Sequence, residues 1–127
     1  MIIAVGLDLV EIDRVRRAYL AHPERFLARC FTAEEATFAG ARRDPAPALA
    51  ARFAAKEAFQ KTWPVRLAWR DVGVVRRAGE APTLAFSPEV ASRMAREGWR
   101  AHLTLTHARD HAAAVVVLEA TAAHGAT

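Results

Sequence analysis

Ala48-Leu49-Ala50-Ala51-Arg52-Phe53-Ala54-Ala55-Lys56-Glu57-Ala58-Phe59-Gln60-Lys61-Thr62-Trp63 contains no glycine or proline, is rich in alanine and runs into Pro64. This predicts the longest helix of the chain, stopped by the proline. At 3.6 residues per turn, Leu49, Phe53, Phe59 and Trp63 share one arc, a stripe suited to a core. Glu57 and Lys61 stand one turn apart beside Ala50, Ala54 and Ala58. Small residues carrying one acid and one base make a wall where a ligand can dock. The same spacing also suits an ordinary surface ion pair, worth only about 0.2–0.5 kcal/mol.

Working back from the helix, Arg42 to Pro47 reads as a loop. Thr32-Ala33-Glu34-Glu35 has the spacing of a capping box opening a helix. Pro23 suits the first turn of another short helix that runs to about Cys30. Ile12, Val15 and Tyr19 recur at helical spacing. Ile2 to Leu9 reads as a strand, with Ile3, Val5 and Leu7 on one side and Ala4, Gly6 and Asp8 on the other. Working forward, Trp69 to Arg77 and Thr83 to Phe86 are expected strands, separated by a turn at Gly79-Glu80-Ala81-Pro82. Ser87-Pro88-Glu89 should cap and open a helix that Gly98 ends. Ala101 to His107 and Ala112 to Glu119 should be strands joined at Ala108-Arg109-Asp110. One strand, then helices, then strands is an α+β pattern. Residues 1–119 make one domain, and 120–127 are expected to be a frayed tail.

The 127 residues carry a net charge of +4, a balance that favours anionic partners. Sixteen of the eighteen basic residues are arginine. The two lysines, Lys56 and Lys61, both fall in the long helix, and a compact ammonium suits a phosphate oxygen. The scattered arginines, few aromatics and lack of a binding motif speak against a nucleic-acid module. Acidic residues interrupt the apolar N-terminus, so neither a membrane span nor a signal peptide is expected. One cysteine, Cys30, permits no disulfide within the chain, and the expected compartment is the cytoplasm.

Three places can carry chemistry. Asp8 is a carboxylate on an apolar strand, costly unless exposed, paired or metal-bound, and Gly6 leaves space on its face. Glu57 and Lys61 offer an acid and a base. With Asp8 they form the set that magnesium and a phosphate require: a few carboxylates and a cation. Thr106 and His107 close a strand, where the imidazole could meet a phosphate. No P-loop, dinucleotide fingerprint, zinc spacing or Ser-His-Asp order is present.

Gly6-Leu7-Asp8-Leu9-Val10-Glu11, the Lys56-Glu57-Ala58-Phe59-Gln60-Lys61 motif within Arg52–Lys61, and Leu103-Thr104-Leu105-Thr106-His107 followed by Ala112-Ala113-Ala114-Val115-Val116 occur in order. Together they resemble the motifs of holo-acyl-carrier-protein synthases, short phosphopantetheinyl transferases. The stretch Phe26 to Glu35 is similar to that family's early helical region. The resemblance, over about residues 1–119, implies the 4′-phosphopantetheinyl transferase fold: an N-terminal strand and helices, then an antiparallel sheet with one further helix. It implies magnesium-dependent transfer of 4′-phosphopantetheine from coenzyme A to an apo acyl carrier protein, supporting fatty acid biosynthesis. It implies a homotrimer with sites between subunits. Asp8 and Glu57 are then the metal ligands and Lys61 the phosphate contact, while Arg52, Lys56, Thr106 and His107 lie along the coenzyme A site. Either a metal-bound water activated by Glu57 or Glu35 would take the serine proton; Glu35 also suits a helix cap. For an acidic carrier protein, Arg14, Arg17, Arg25 and Arg29 with Phe26 form the expected dock. Two departures from the family pattern fall in loops. Trp63-Pro64-Val65-Arg66-Leu67 is short and glycine-free, and Gly79-Glu80-Ala81-Pro82 lacks the usual lysine.

Overall fold

The computed structural model describes residues 1–121. Its elements are β1 (Ile2–Glu11), α1 (Ile12–Ala21), α2 (Pro23–Cys30), α3 (Ala33–Gly40), α4 (Ala46–Thr62), a 3-10 turn (Trp69–Asp71), β2 (Val72–Val75), β3 (Thr83–Phe86), α5 (Pro88–Glu97), β4 (Trp99–His107) and β5 (His111–Ala120). This is the expected α+β order. β1, β5 and β4 form one antiparallel sheet in that spatial order, and β2 pairs with β3 in a separate ribbon. The N-terminal strand thus pairs with the last one, Gly6 opposite Val116 and Asp8 opposite Ala114.

α4 lies against β1 and β5 and is the centre of the molecule. Ala54, Ala55, Ala58 and Phe59 meet Ala114, Val116 and Leu118 in one core, and Leu49 and Ala50 meet Ile12, Val15 and Phe31 in a second. The expected docking wall is corrected here. Ala50, Ala54 and Ala58 are fully buried, and their small size lets the helix approach its neighbours closely. Gly6 is corrected in the same way. A Cβ there would overlap the carbonyl oxygen of Ala58, so the glycine admits the helix and leaves no open space.

Elsewhere the segment from Trp69 begins as a 3-10 turn and becomes a strand only at Val72. α5 starts after Ser87, but the Ser87 hydroxyl makes no cap bond and is buried without a partner among the described residues. Gly98, with left-handed backbone at φ 69°, ends α5 as expected. β1 continues to Glu11, past Asp8, and β5 runs to Ala120. Of the expected frayed tail, residues 122–127 lie outside the described residues.

The sheet has two unlike faces. Ala4, Gly6 and Asp8 face α4, whereas Ile3, Val5, Leu7 and Leu9 remain 42–66 % exposed. Register places Leu7 beside Val115 and Thr104, and Leu9 beside Ala113 and Thr106, on that uncovered face.

Candidate active site

Asp8 from β1 and Glu57 from α4 line one cavity of about 540 Å³. α4 brings Lys61 over the same strand. Its ammonium donates to the Leu7 carbonyl at 2.6 Å and approaches the Asp8 carboxylate at 3.4 Å. The i,i+4 pair of Glu57 with Lys61 does not form. Lys61 partners Asp8 instead, and Glu57 has no hydrogen-bond or ion-pair partner among the described residues. Close contact at Gly6 explains why: it sets the last turns of α4 directly on β1, within reach of the strand backbone.

No group of three or more His, Cys, Asp or Glu is gathered for a metal among the described residues. The two carboxylates nevertheless suit magnesium, which binds through one or two carboxylates and completes its shell with water and substrate phosphates. Asp8 and Glu57 are hard oxygen donors opening on one cavity, so the residues present fit that ion.

The rest of this cavity is built from side chains of two kinds. Arg14 and Phe26 lie on its wall, as do Phe53 and Trp69. Phe53 and Trp69 stack with ring centroids 4.7 Å apart. Phe53, expected in the core stripe, packs against the second core and, being half-buried, also lines the cavity. Its place one turn before Glu57 is the sequence signal that it shares the glutamate's face. Trp69 carried no such signal, because a 3-10 turn rather than a strand directs it there.

Other expected residues are placed elsewhere. Lys56 is buried, paired at 2.7 Å with the fully buried Glu35, and donates to the carbonyls of Trp69, at 3.1 Å, and of Val72. Burial lowers its pKa while Glu35 pulls the other way. Its ammonium is thereby committed to partners inside the domain. Glu35 closes the capping box with Thr32 and also accepts from the Val74 amide at 2.9 Å. So enclosed, it does not line the cavity that Asp8 and Glu57 share.

Arg52 opens on a different cavity, about 390 Å³, beside Phe38 and Arg76. Its guanidinium stands 4.0 Å from the Phe38 ring, as does that of Arg42. Burial pushes the Arg52 pKa down, and its Nε has no partner among the described residues. Thr106 lies on the uncovered face of the sheet and His107 at the end of β4, both exposed and not lining the Asp8 cavity. Of the basic residues on α1 and α2, Arg17 is held by Asp13 at 2.7 Å, while Arg14, Arg25 and Arg29 are exposed.

Comparison with known proteins follows the same outline. The model of the 4′-phosphopantetheinyl transferase superfamily matches residues 4–116. The chain is 56 % identical over 125 residues to a holo-[acyl-carrier-protein] synthase of Thermus thermophilus, covering 98 % of this chain and 99 % of that one. The holo-[acyl-carrier-protein] synthase of Neisseria meningitidis is similar in structure, with TM-score 0.85 and 31 % identity, covering 94 % and 99 % of the two chains. A Bacillus anthracis enzyme of the same name, solved in complex with coenzyme A (3′,5′-ADP), gives TM-score 0.78 and 27 % identity over 95 % and 99 %. With matches of this extent and an α+β fold in common, the chain belongs to the holo-[acyl-carrier-protein] synthase family of the 4′-phosphopantetheinyl transferase superfamily.

Proposed function

We propose that the chain, with magnesium, moves 4′-phosphopantetheine from coenzyme A to a serine of an apo acyl carrier protein, supporting fatty acid biosynthesis in the cytoplasm. The observation that carries this reading is the pair Asp8 and Glu57 on one cavity, with Lys61 drawn onto Asp8. Family membership, and a relative solved with coenzyme A, support the donor.

In the reaction the serine oxygen attacks the β-phosphorus of the pyrophosphate. A new P–O bond forms, the bond to the bridging oxygen breaks, and adenosine 3′,5′-bisphosphate leaves with the electron pair. The serine proton passes to a water activated by Glu57 and on to solvent. Such a displacement depends on alignment and charge neutralisation more than on covalent help. Asp8 and Glu57 would hold magnesium, which supplies charge neutralisation at the pyrophosphate. Lys61 would steady the charge that builds on the phosphate oxygens. Arg52, with its unpartnered Nε, suits a further phosphate of the nucleotide. Arg14 and Phe26, on the wall of the same cavity, suit an acidic carrier protein arriving beside the reacting centre, with Arg25 and Arg29 steering from α2.

A homotrimer is part of this proposal. The exposed apolar row Ile3, Val5, Leu7 and Leu9 is large for a free surface. Thr106, on the uncovered sheet face, and His107, at the end of β4, do not line the chain's own Asp8 cavity, which suits residues that complete a neighbour's site. The decisive experiment mixes the protein with apo carrier protein, coenzyme A and magnesium and weighs the carrier. The carrier is expected to gain the mass of phosphopantetheine, and an unmodified carrier would overturn the reading.

A further inference from the structure

We infer that Arg66 is a pyrophosphate-binding residue and that Gln60 is the positioning residue that presents it, an inference that rests on the reading above and names a contact within it. The loop after α4 lacks glycine and departs from the family pattern, so its shape needs a local cause. Gln60 supplies one. Its side-chain amide donates to the Val65 carbonyl at 2.9 Å, and its oxygen accepts from the Leu67 amide at 2.8 Å. Both ends of one amide thus clamp the residues on either side of Arg66. The clamp stands on the helix between Glu57 and Lys61, so the loop is fixed in register with the two residues that matter most to the site.

The clamp sets Arg66 at a small cavity of about 110 Å³ shared with Glu57, Gln60 and Lys56. Arg66 is exposed and has no ion-pair or hydrogen-bond partner among the described residues. Glu57 therefore faces two spaces: the larger one with Asp8, and this one with Arg66. Charge counting shows why a second cation is wanted. A lysine ammonium has three protons to donate, and Lys61 already directs two at Leu7 and Asp8. Lys56 is committed to Glu35 and two carbonyls. One remaining Lys61 proton is little for a pyrophosphate with several anionic oxygens. The planar fork of an arginine matches such oxygens two at a time. Arg66 is placed to bind them from the second space that Glu57 lines.

The test titrates the full chain with coenzyme A and, separately, with dephospho-coenzyme A, in magnesium, by calorimetry. Steady-state transfer to apo carrier protein is measured alongside, with folding of each variant checked by circular dichroism. Arg66→Ala should weaken both ligands by about tenfold or more, the usual effect of losing a charge-assisted bond. It should raise KM for coenzyme A while kcat at saturation changes little. Gln60→Ala should do the same in the parent chain but add less than about twofold on the Arg66→Ala background, because its effect passes through the arginine. Unchanged affinities for Arg66→Ala would overturn the inference. A loss seen with coenzyme A alone would also overturn it, by placing the arginine on the 3′-phosphate. So would a full Gln60→Ala effect without Arg66, which would make Gln60 merely structural. An active parent with a silent Arg66 refutes this inference alone, whereas a parent that neither binds coenzyme A nor loads the carrier refutes the underlying reading with it.

Discussion

Glu57 and Lys61 lie one turn apart, yet the structure pairs only Lys61, and that difference is testable. Glu57 is unpaired beside Asp8, and Lys61 binds Asp8 and the Leu7 carbonyl. Under the proposed reading, Glu57→Gln keeps the side chain's shape but removes an anionic ligand. Its rate should fall and recover in part as magnesium is raised. Lys61→Ala should lose about 2–4 kcal/mol of transition-state stabilisation that extra magnesium does not restore. Rate against magnesium for both variants checks this, and two curves matching the parent would leave both residues without a role. Lys56 makes a different prediction. Lys56→Met strands Glu35 as a buried, unpaired carboxylate and should cost about 3–5 kcal/mol. Adding Glu35→Gln should return part of that stability, because the stranded charge goes and the amide oxygen can still accept from one of the two backbone amides, Thr32 or Val74, that the carboxylate holds. Urea midpoints of the two single variants and the double variant decide it. The residue pattern made Lys56 and Lys61 look alike. Their surroundings separate them: one ammonium is enclosed among α3, the 3-10 turn and β2, and the other stays at the surface.

α4 owes its position to what its alanines and Gly6 lack. Alanines at 50, 54 and 58 have no bulk to hold the helix away from its neighbours, and the strand beneath has no Cβ where the Ala58 carbonyl sits. Gly6→Ala should therefore force the two elements apart. The expected cost is about 1–3 kcal/mol, with lost transfer activity because Glu57 and Lys61 move with the helix. Gly40→Ala is the control: beyond its chain neighbours and its own helix backbone nothing lies within 4 Å of the added Cβ, so it should leave the melting temperature and activity close to the parent. Melting curves and transfer rates for the pair check the prediction, and equal melting temperatures would refute it. At this scale most elements were legible, since proline, capping-box and glycine signals depend on a few neighbouring residues. The segment from Trp69 was not. Its apolar residues suit a strand, but Asp71 accepts from the Ala68 amide and Lys56 binds the Trp69 carbonyl, and these bonds favour a 3-10 turn before the strand begins.

The molecule as a whole presents an uncovered apolar sheet face and a basic helical end. If the first is the subunit boundary of a homotrimer, Leu7→Arg should bring the mass by light scattering from near three chains to near one, and transfer should fail with it. A parent that is monomeric and fully active would sink the trimer. If the second receives the carrier protein, Arg14→Glu should lower kcat/KM for the carrier several-fold. The parent's rate should fall with salt while its affinity for coenzyme A holds, since exposed charges steer association and are screened. Equal losses for carrier and coenzyme A would place Arg14 at the nucleotide instead. The sequence by itself determined the α+β order, the long helix and its stop, the Thr32–Glu35 cap and the candidate trio Asp8, Glu57 and Lys61. Each follows from periodicity, capping chemistry or motif spacing along the chain. Only the tertiary structure decided that Asp8 and Glu57 share a cavity, that Lys61 belongs to Asp8, that Glu35 and Lys56 are interior partners, and that Ile3, Val5, Leu7 and Leu9 stay exposed. The physical reason is that strand alternation separates the faces of β1 without saying which one is covered. That choice is made where α4, some fifty residues further along the chain, settles on the face that Gly6 leaves low enough to receive it.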